Sequence, residues 1–173
     1  MPAFAPSSMA LRLARVVPLA IAACCAGALL MALAAQHLFG LEPCLLCLYQ
    51  RIPYAVALVL AVLSLMVPVG SLRTALIGLC AVVFLGNAGL AFYHVGVEQH
   101  WWSSIAGCGG QLPTDLSIEE LQVRLAGPPP KPCDEVDWTL MGISLAGYNT
   151  LISLVLAAAT AAGILRMVRE PSL

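Results

Sequence analysis

A four-helix membrane bundle is the all-α fold class this sequence predicts, and three observations predict it. Of 173 residues, 61% are hydrophobic and only 10% charged, against about 25% charge in an ordinary soluble domain. The apolar residues gather into four runs near the ~20-residue length that crosses a bilayer as a helix. Backbone groups in lipid must satisfy one another, and no alternating pattern suggests a barrel, so the runs read as helices. The chain is too apolar for disorder. A net charge of -1 supplies no basic field for a nucleic-acid partner. The length suits one domain, so any chemistry sits in the spans or in the loops between them.

Taken in order, residues 1–15 read as an N-terminal tail. The first span covers about 16–38 and is uncharged, with Gln36 and His37 near its end. The turn 39–47 leads to a second span of about 48–67, whose one charge is Arg51. Proline and glycine in Pro68 to Ser71 break the helix. The third span, about 72–95, contains Asn87. A long polar loop, 96–140, carries Pro113, Pro128-Pro129-Pro130, Pro132 and most of the acids. The fourth span, about 141–165, is uncharged, and 166–173 forms a tail. Within the long loop, Ser117 and Glu120 make a capping-box pattern. Ile118, Leu121 and Leu125 fall on one helical stripe. A short amphipathic helix is expected there, either on the membrane surface or packed on the loop.

Arg12, Arg15, Arg73, Arg166 and Arg169 fall on one side of this layout. Arg51, Arg124 and Lys131 fall on the other, with eight of the nine acids. Positive residues mark the cytoplasmic side. Both termini are therefore expected in the cytoplasm, and the 39–47 and 96–140 segments outside. A rival reading takes Arg12, Arg15, the apolar run and Ala32-Leu33-Ala34 as a cleavable signal peptide. The run is longer than such peptides use, and cleavage would leave three spans.

Seven cysteines divide by location. Cys24, Cys25 and Cys80 lie inside spans, where cysteine serves as a small polarisable core residue. Cys44, Cys47, Cys108 and Cys133 fall on the outer side, where an oxidising compartment favours pairing. Cys44-Leu45-Leu46-Cys47 is a CxxC opening the second span. Leu48, not histidine, follows it, which argues against c-type haem. Zinc needs four ligands, and Cys108 with Cys133 would complete a set. Their wide spacing and the prolines between them do not suit a compact knuckle.

Redox chemistry suits the position better. Cys47 is expected in the first turn of a helix, where unpaired N–H groups and the dipole favour an anion. Arg51 lies one turn further on the same face. At about 5 Å and an effective dielectric near 20, such a pair attracts by about 3 kcal/mol, or roughly two pKa units. The alternative is an arginine that merely snorkels to the interface. Cys108 sits in Gly107-Cys108-Gly109-Gly110, with its backbone open to a partner strand. Cys133 follows Lys131-Pro132. These two form either an exposed, labile disulfide or a structural staple, which the chain-entropy model values at about 3–4 kcal/mol. Four cysteines allow three connectivities.

Two such pairs on one side of a small membrane protein suggest a relay. The loop pair exchanges with a soluble dithiol, and the electrons pass to the CxxC at the membrane surface. With no haem motif, flavin fingerprint or P-loop in the chain, the expected acceptor is lipid-soluble. A quinone takes the two electrons and two protons of one dithiol, and Arg51 would steady an anionic quinone oxygen.

The stretch Glu42-Pro43-Cys44-Leu45-Leu46-Cys47-Leu48-Tyr49-Gln50-Arg51 resembles the signature of the bacterial disulfide bond formation protein B (DsbB) family. Trp138, Gly142, Ser144 and Gly147-Tyr148-Asn149 resemble that family's entry into its last span. Gln36, His37 and His94 sit at matching places. The resemblance covers about residues 16–166. It implies an inner-membrane protein-dithiol:quinone oxidoreductase that sustains disulfide formation in exported proteins. Ubiquinone or menaquinone would be the cofactor, the partner a periplasmic thioredoxin-like oxidant (DsbA-like), and no metal would be needed. By the same resemblance Cys44 and Cys47 are the quinone-linked pair, with Cys47 making the charge-transfer or covalent contact. Cys108 and Cys133 reoxidise the partner, Cys108 forming the mixed disulfide. A transient Cys44–Cys133 bond joins the pairs, and Arg51 and His94 lie at the quinone.

Some points stay open. His94 also reads as an interfacial histidine that only hydrogen-bonds, and Trp138 as an aromatic-belt anchor. Ala146 stands where proline is expected before Gly-Tyr-Asn. A non-catalytic scaffold with stapled loops is the competing function. The vitamin K epoxide reductase-like family also couples thiols to quinones, but its CxxC lies near a late span.

Overall fold

The computed structural model describes residues 8–105, 108, 117–119, 122, 131–136 and 138–169. Helix α1 is Ser8–Leu38, α2 Leu45–Tyr49, α3 Arg51–Met66, α4 Ser71–Glu98 and α5 Leu145–Arg169. An antiparallel hairpin of β1 (Thr139–Leu140) and β2 (Ile143–Ser144) precedes α5. With α2 and α3 counted as one segment, four stretches are long and apolar enough to cross a membrane. The fold is the expected four-helix membrane bundle.

Its packing follows from where the small residues fall. Ala57 and Ala61 of α3 face Ile77, Cys80 and Phe84 of α4, with Ile21 and Cys25 from α1 and Ala157 from α5. Without a hydrophobic drive between helices in lipid, small residues at the seams let backbones approach closely. Large apolar residues such as Leu30, Val59, Leu85 and Val155 point outward. Cys25 and Cys80 are core residues as expected, but Cys24 is exposed on the surface of α1. Because α1 supplies part of the core, signal-peptide cleavage after Ala34 would remove a wall of the bundle.

Several boundaries differ from expectation. Helix α1 starts at Ser8, inside the expected tail, and carries a buried Pro18. Gly40, at φ +66°, then turns the chain, and the Leu41 N–H returns to the Ala35 carbonyl at 3.1 Å. The second span breaks at Gln50. Pro53 has no N–H to give the Tyr49 carbonyl and is tolerated only in a first turn, so α2 stops and α3 restarts. The fourth span begins at Leu145 rather than Met141. Met141 (φ 51°) and Gly142 (φ 79°) are both left-handed, which is the signature of a type I′ hairpin turn and incompatible with a helix. Of the amphipathic helix expected over 117–125, Ile118, Glu119 and Gln122 are helical. Glu120, Leu121 and Leu125 lie outside the described residues.

At the cysteine end, α4 closes in a Schellman motif. His100 takes the left-handed position at φ 58°. The Trp101 N–H reaches the Gly96 carbonyl at 2.8 Å and the His100 N–H the Val97 carbonyl at 3.1 Å. The chain folds back so that the Trp102 indole lies on Gly96, where any Cβ would stand 1.9 Å from the ring. Trp102 stacks on Tyr93 and donates its N–H to the Tyr93 carbonyl at 2.8 Å.

At the opposite end Arg73 is only 7% exposed. It donates to the carbonyls of Val67, Leu65 (3.2 Å) and Ala14 (3.3 Å). A residue counted from the sequence as a topology charge thus caps the last carbonyls of α3 and ties them to α1. Losing a charged donor to buried carbonyls costs about 2–3 kcal/mol. Arg73→Leu is therefore expected to lower the thermal unfolding midpoint in detergent by that equivalent; an unchanged midpoint would contradict the cap.

Candidate active site

The site starts from one backbone fact. Cys44 follows Pro43 and takes extended angles (φ −69°, ψ 168°), which makes it the N-cap of α2. An N-cap side chain accepts a hydrogen bond from the first-turn N–H groups. Here the acceptor is sulfur: the Cys47 N–H donates to Cys44 Sγ at 3.2 Å. The Cys47 sulfur lies 2.8 Å from that of Cys44, and His94 Nε2 lies 3.6 Å from it. The three donor atoms fall within 4.8 Å of one another. The Cys47 thiol, then His94 and the Cys47 N–H, outweigh burial and draw the Cys44 thiol down to about 5 from an ordinary 9.0. Sequence reasoning put the favoured anion at Cys47. The free helix-end N–H groups are where it expected them, but the Cys47 N–H serves the capping sulfur.

His94 reaches this sulfur from α4, the helix packed against α3. Its Nδ1 is 2.9 Å from the Gln50 amide nitrogen. Gln50 Oε1 accepts from the Asn149 amide, and Asn149 Oδ1 accepts from the Tyr54 hydroxyl at 2.6 Å and from Asn87 at 3.3 Å. Asn87 also donates to Ser153 Oγ at 2.9 Å. A polar ladder thus descends from His94 into the apolar bundle, held by α3, α4 and α5. Amides present either a donor or an acceptor on turning over, so the ladder accommodates His94 with or without a proton on Nδ1. Gln50 sits at the break that Pro53 imposes, and Asn87 is buried within α4, where the sequence placed it inside the third span.

Cys108 and Cys133 are joined, with Cα atoms 5.3 Å apart. The pairing removes both from the four-cysteine metal set weighed from the sequence. The Cys133 N–H donates to the Cys108 carbonyl at 2.6 Å, and Ser104 Oγ lies 3.1 Å from Cys108 Sγ. This disulfide packs in one apolar cluster with Cys44, Leu46 and Val97, against which Cys47 and Tyr93 rest. The Cys133 backbone also hydrogen-bonds to His94. Both cysteine pairs therefore share a single contact surface, and His94 touches each.

A cavity of about 360 Å³ opens beside Cys44 and Cys47. Its apolar lining includes Ala28 and Ala32 of α1 and Leu145 and Ile152 of α5. Arg51, Glu98 and Trp138 are also on its wall. Arg51 donates to Gln36 Oε1 at 2.8 Å and to the Ala32 carbonyl at 3.5 Å, so the two resemblance-matched residues Gln36 and Arg51 meet. His37 is exposed on α1 and does not line the cavity. Ala146 is buried in the first turn of α5 and lines it. Glu98 was given no role from the sequence; its signal was an acid one helical turn beyond His94. In reduced protein, iodoacetamide is expected to alkylate Cys44 with a midpoint near pH 5, the thiolate persisting at every higher pH. A midpoint above about pH 8, the ordinary thiol range, would contradict the capped sulfur.

Comparison with known proteins agrees with this geometry. The family model described as disulfide bond formation protein DsbB matches residues 14–163. A Marinobacter nauticus protein named disulfide bond formation protein B is 32% identical over 73% of this chain and 77% of its own. An Azoarcus protein of the same name is 34% identical over 77% of this chain and 81% of its own. An uncharacterized Rickettsia prowazekii protein is 28% identical over 75% of each. No solved structure matches the chain. With two cysteine pairs meeting at a histidine, four spans, and relatives of one name across most of its length, the chain belongs to the disulfide bond formation protein DsbB family.

Proposed function

We propose that this oxidoreductase of disulfide formation reoxidises a thioredoxin-like, DsbA-like periplasmic oxidant and passes the electrons to a membrane quinone. The observation that carries this reading is the shared cluster of Cys44, Cys47, Cys108 and Cys133 beside a cavity of about 360 Å³. Arg12, Arg15, Arg166 and Arg169 lie at one end of the bundle and the cysteines at the other. That supports cytoplasmic termini in a bacterial inner membrane.

A partner thiolate attacks Cys108, and the partner's second thiol resolves the mixed disulfide, leaving Cys108 and Cys133 reduced. The Cys133 thiolate attacks Cys44 of a Cys44–Cys47 disulfide, and Cys47 departs as thiolate. Cys108 then attacks Cys133, re-forming the loop disulfide and expelling Cys44 as thiolate. A low-pKa thiol leaves faster, and the Cys47 N–H and His94 supply that property at Cys44. A bound quinone supplies a two-electron, two-proton acceptor, matching one dithiol. The apolar lining would take its ring, and Arg51 would hold a quinone oxygen, with Trp138 on the same wall.

Purified protein, reduced partner and a ubiquinone analogue test this by quinone absorbance. Quinone reduction is expected with the native cysteines and is lost in Cys47→Ser and Cys108→Ser. Arg51→Leu is expected to raise the quinone KM about tenfold or more, the order of one lost hydrogen bond from a charged donor. No quinone reduction with all four cysteines intact would reject the reading.

A further inference from the structure

Glu98 plays no part in the steps above, yet it is a carboxylate only 9% exposed at the end of α4. Its Oε1 lies 4.0 Å from His94 Nε2, and the Ser144 hydroxyl donates to its Oε2. Ser144 Oγ in turn accepts the Gly147 N–H at 3.1 Å. The carboxylate is thus held by Ser144, the residue just before α5, as well as by its place at the end of its own helix. The same Nε2 faces Cys44 Sγ at 3.6 Å. One ring nitrogen therefore stands next to both a sulfur and a carboxylate.

We propose that Glu98 is a positioning residue of the thiol chemistry: acting through His94, it holds a proton on the imidazole that faces Cys44 and so keeps that sulfur a thiolate. This rests on the redox reading of the site. The step is a proton transfer alone: the Cys44 S–H bond breaks, a His94 N–H bond forms, and no electrons change owner. Two effects of the carboxylate oppose each other. Directly, its charge repels a thiolate. Through His94, it steadies the cation that attracts the thiolate. The carboxylate meets the ring nitrogen that itself meets the sulfur, so the indirect effect sets the sign. Other charged or titratable groups on the same cavity are Glu42, Cys47, Arg51 and Glu135. Tyr54 and Tyr148 also line it.

The test is iodoacetamide labelling of Cys44 in reduced full-length protein, read by peptide mass spectrometry between about pH 4 and 8, the span from a depressed to an ordinary thiol. Glu98→Gln is expected to move the midpoint up by about one pH unit, a tenfold slower reaction below it. Glu98→Asp, whose shorter arm draws the charge back, is expected to give a smaller fall in the same direction. Added to His94→Gln, Glu98→Gln is expected to cause no further loss, because its route runs through that ring. A mere tie between α4 and α5 would lower stability without moving the midpoint. A downward or absent shift in folded Glu98→Gln overturns the proposal. If that variant does not fold, unchanged or faster labelling in Glu98→Asp overturns it. Labelling needs neither quinone nor partner, so its failure leaves the oxidase reading standing, and the converse holds.

Discussion

The capping of α2 by a sulfur atom is the interaction on which the rest of the site depends. A helix must begin somewhere after Pro43, and its first N–H groups need an acceptor. Placing Cys44 at the cap and Cys47 three residues on lets the Cys47 N–H donate to the Cys44 sulfur. The CxxC spacing therefore does two things at once. It sets the sulfurs close enough to bond, and it gives one of them a donor that favours its anion. His94 adds a second donor from α4. The result is an asymmetric dithiol, with Cys44 buried as the acidic partner and Cys47 half-buried beside the cavity.

Keeping His94 in place requires polar groups where polar groups are costly. An unsatisfied amide in hydrocarbon costs several kcal/mol, so each step of the ladder must find a partner. Gln50, Asn149, Tyr54, Asn87 and Ser153 bond mainly to one another, and Asn87 Oδ1 is left without a hydrogen-bond partner among the described residues. The ladder also joins α3, α4 and α5 through bonds that have direction, whereas the Ala and Cys seams below it have little. That division matches the work of the two ends. The cysteine end holds atoms in register, and the rest of the bundle fills space against lipid.

Much of the architecture was legible in the chain because it rests on local or compositional signals. Four apolar runs mark four spans, and the CxxC with Arg51 and the loop pair of cysteines mark the redox site. What stayed hidden depends on contacts between residues far apart in sequence. Nothing local says that Arg73 turns inward to cap α3, since a cation at a span end reads the same whether buried or free. The hairpin at 139–144 was hidden because its strands have two residues each and Met141 takes a left-handed angle that methionine seldom adopts. Gln50 and Asn149 were noticed only as parts of a pattern, because an amide's role depends on what faces it. The sequence favours an anion at Cys47, yet the Cys47 N–H and His94 both turn to the Cys44 sulfur, since helix-end electrostatics do not say which sulfur an N–H will choose.

The reduction potential of the Cys44–Cys47 pair tests the capped-sulfur interpretation most directly. Whatever stabilises a thiolate in the reduced dithiol makes the disulfide more oxidising, tenfold in equilibrium constant for each ~30 mV. Equilibrating wild-type and His94→Gln protein with glutathione buffers, in a background lacking Cys108 and Cys133, isolates that pair. A more negative potential in His94→Gln is the expected result. An unchanged or more positive potential would contradict a histidine-stabilised thiolate at Cys44.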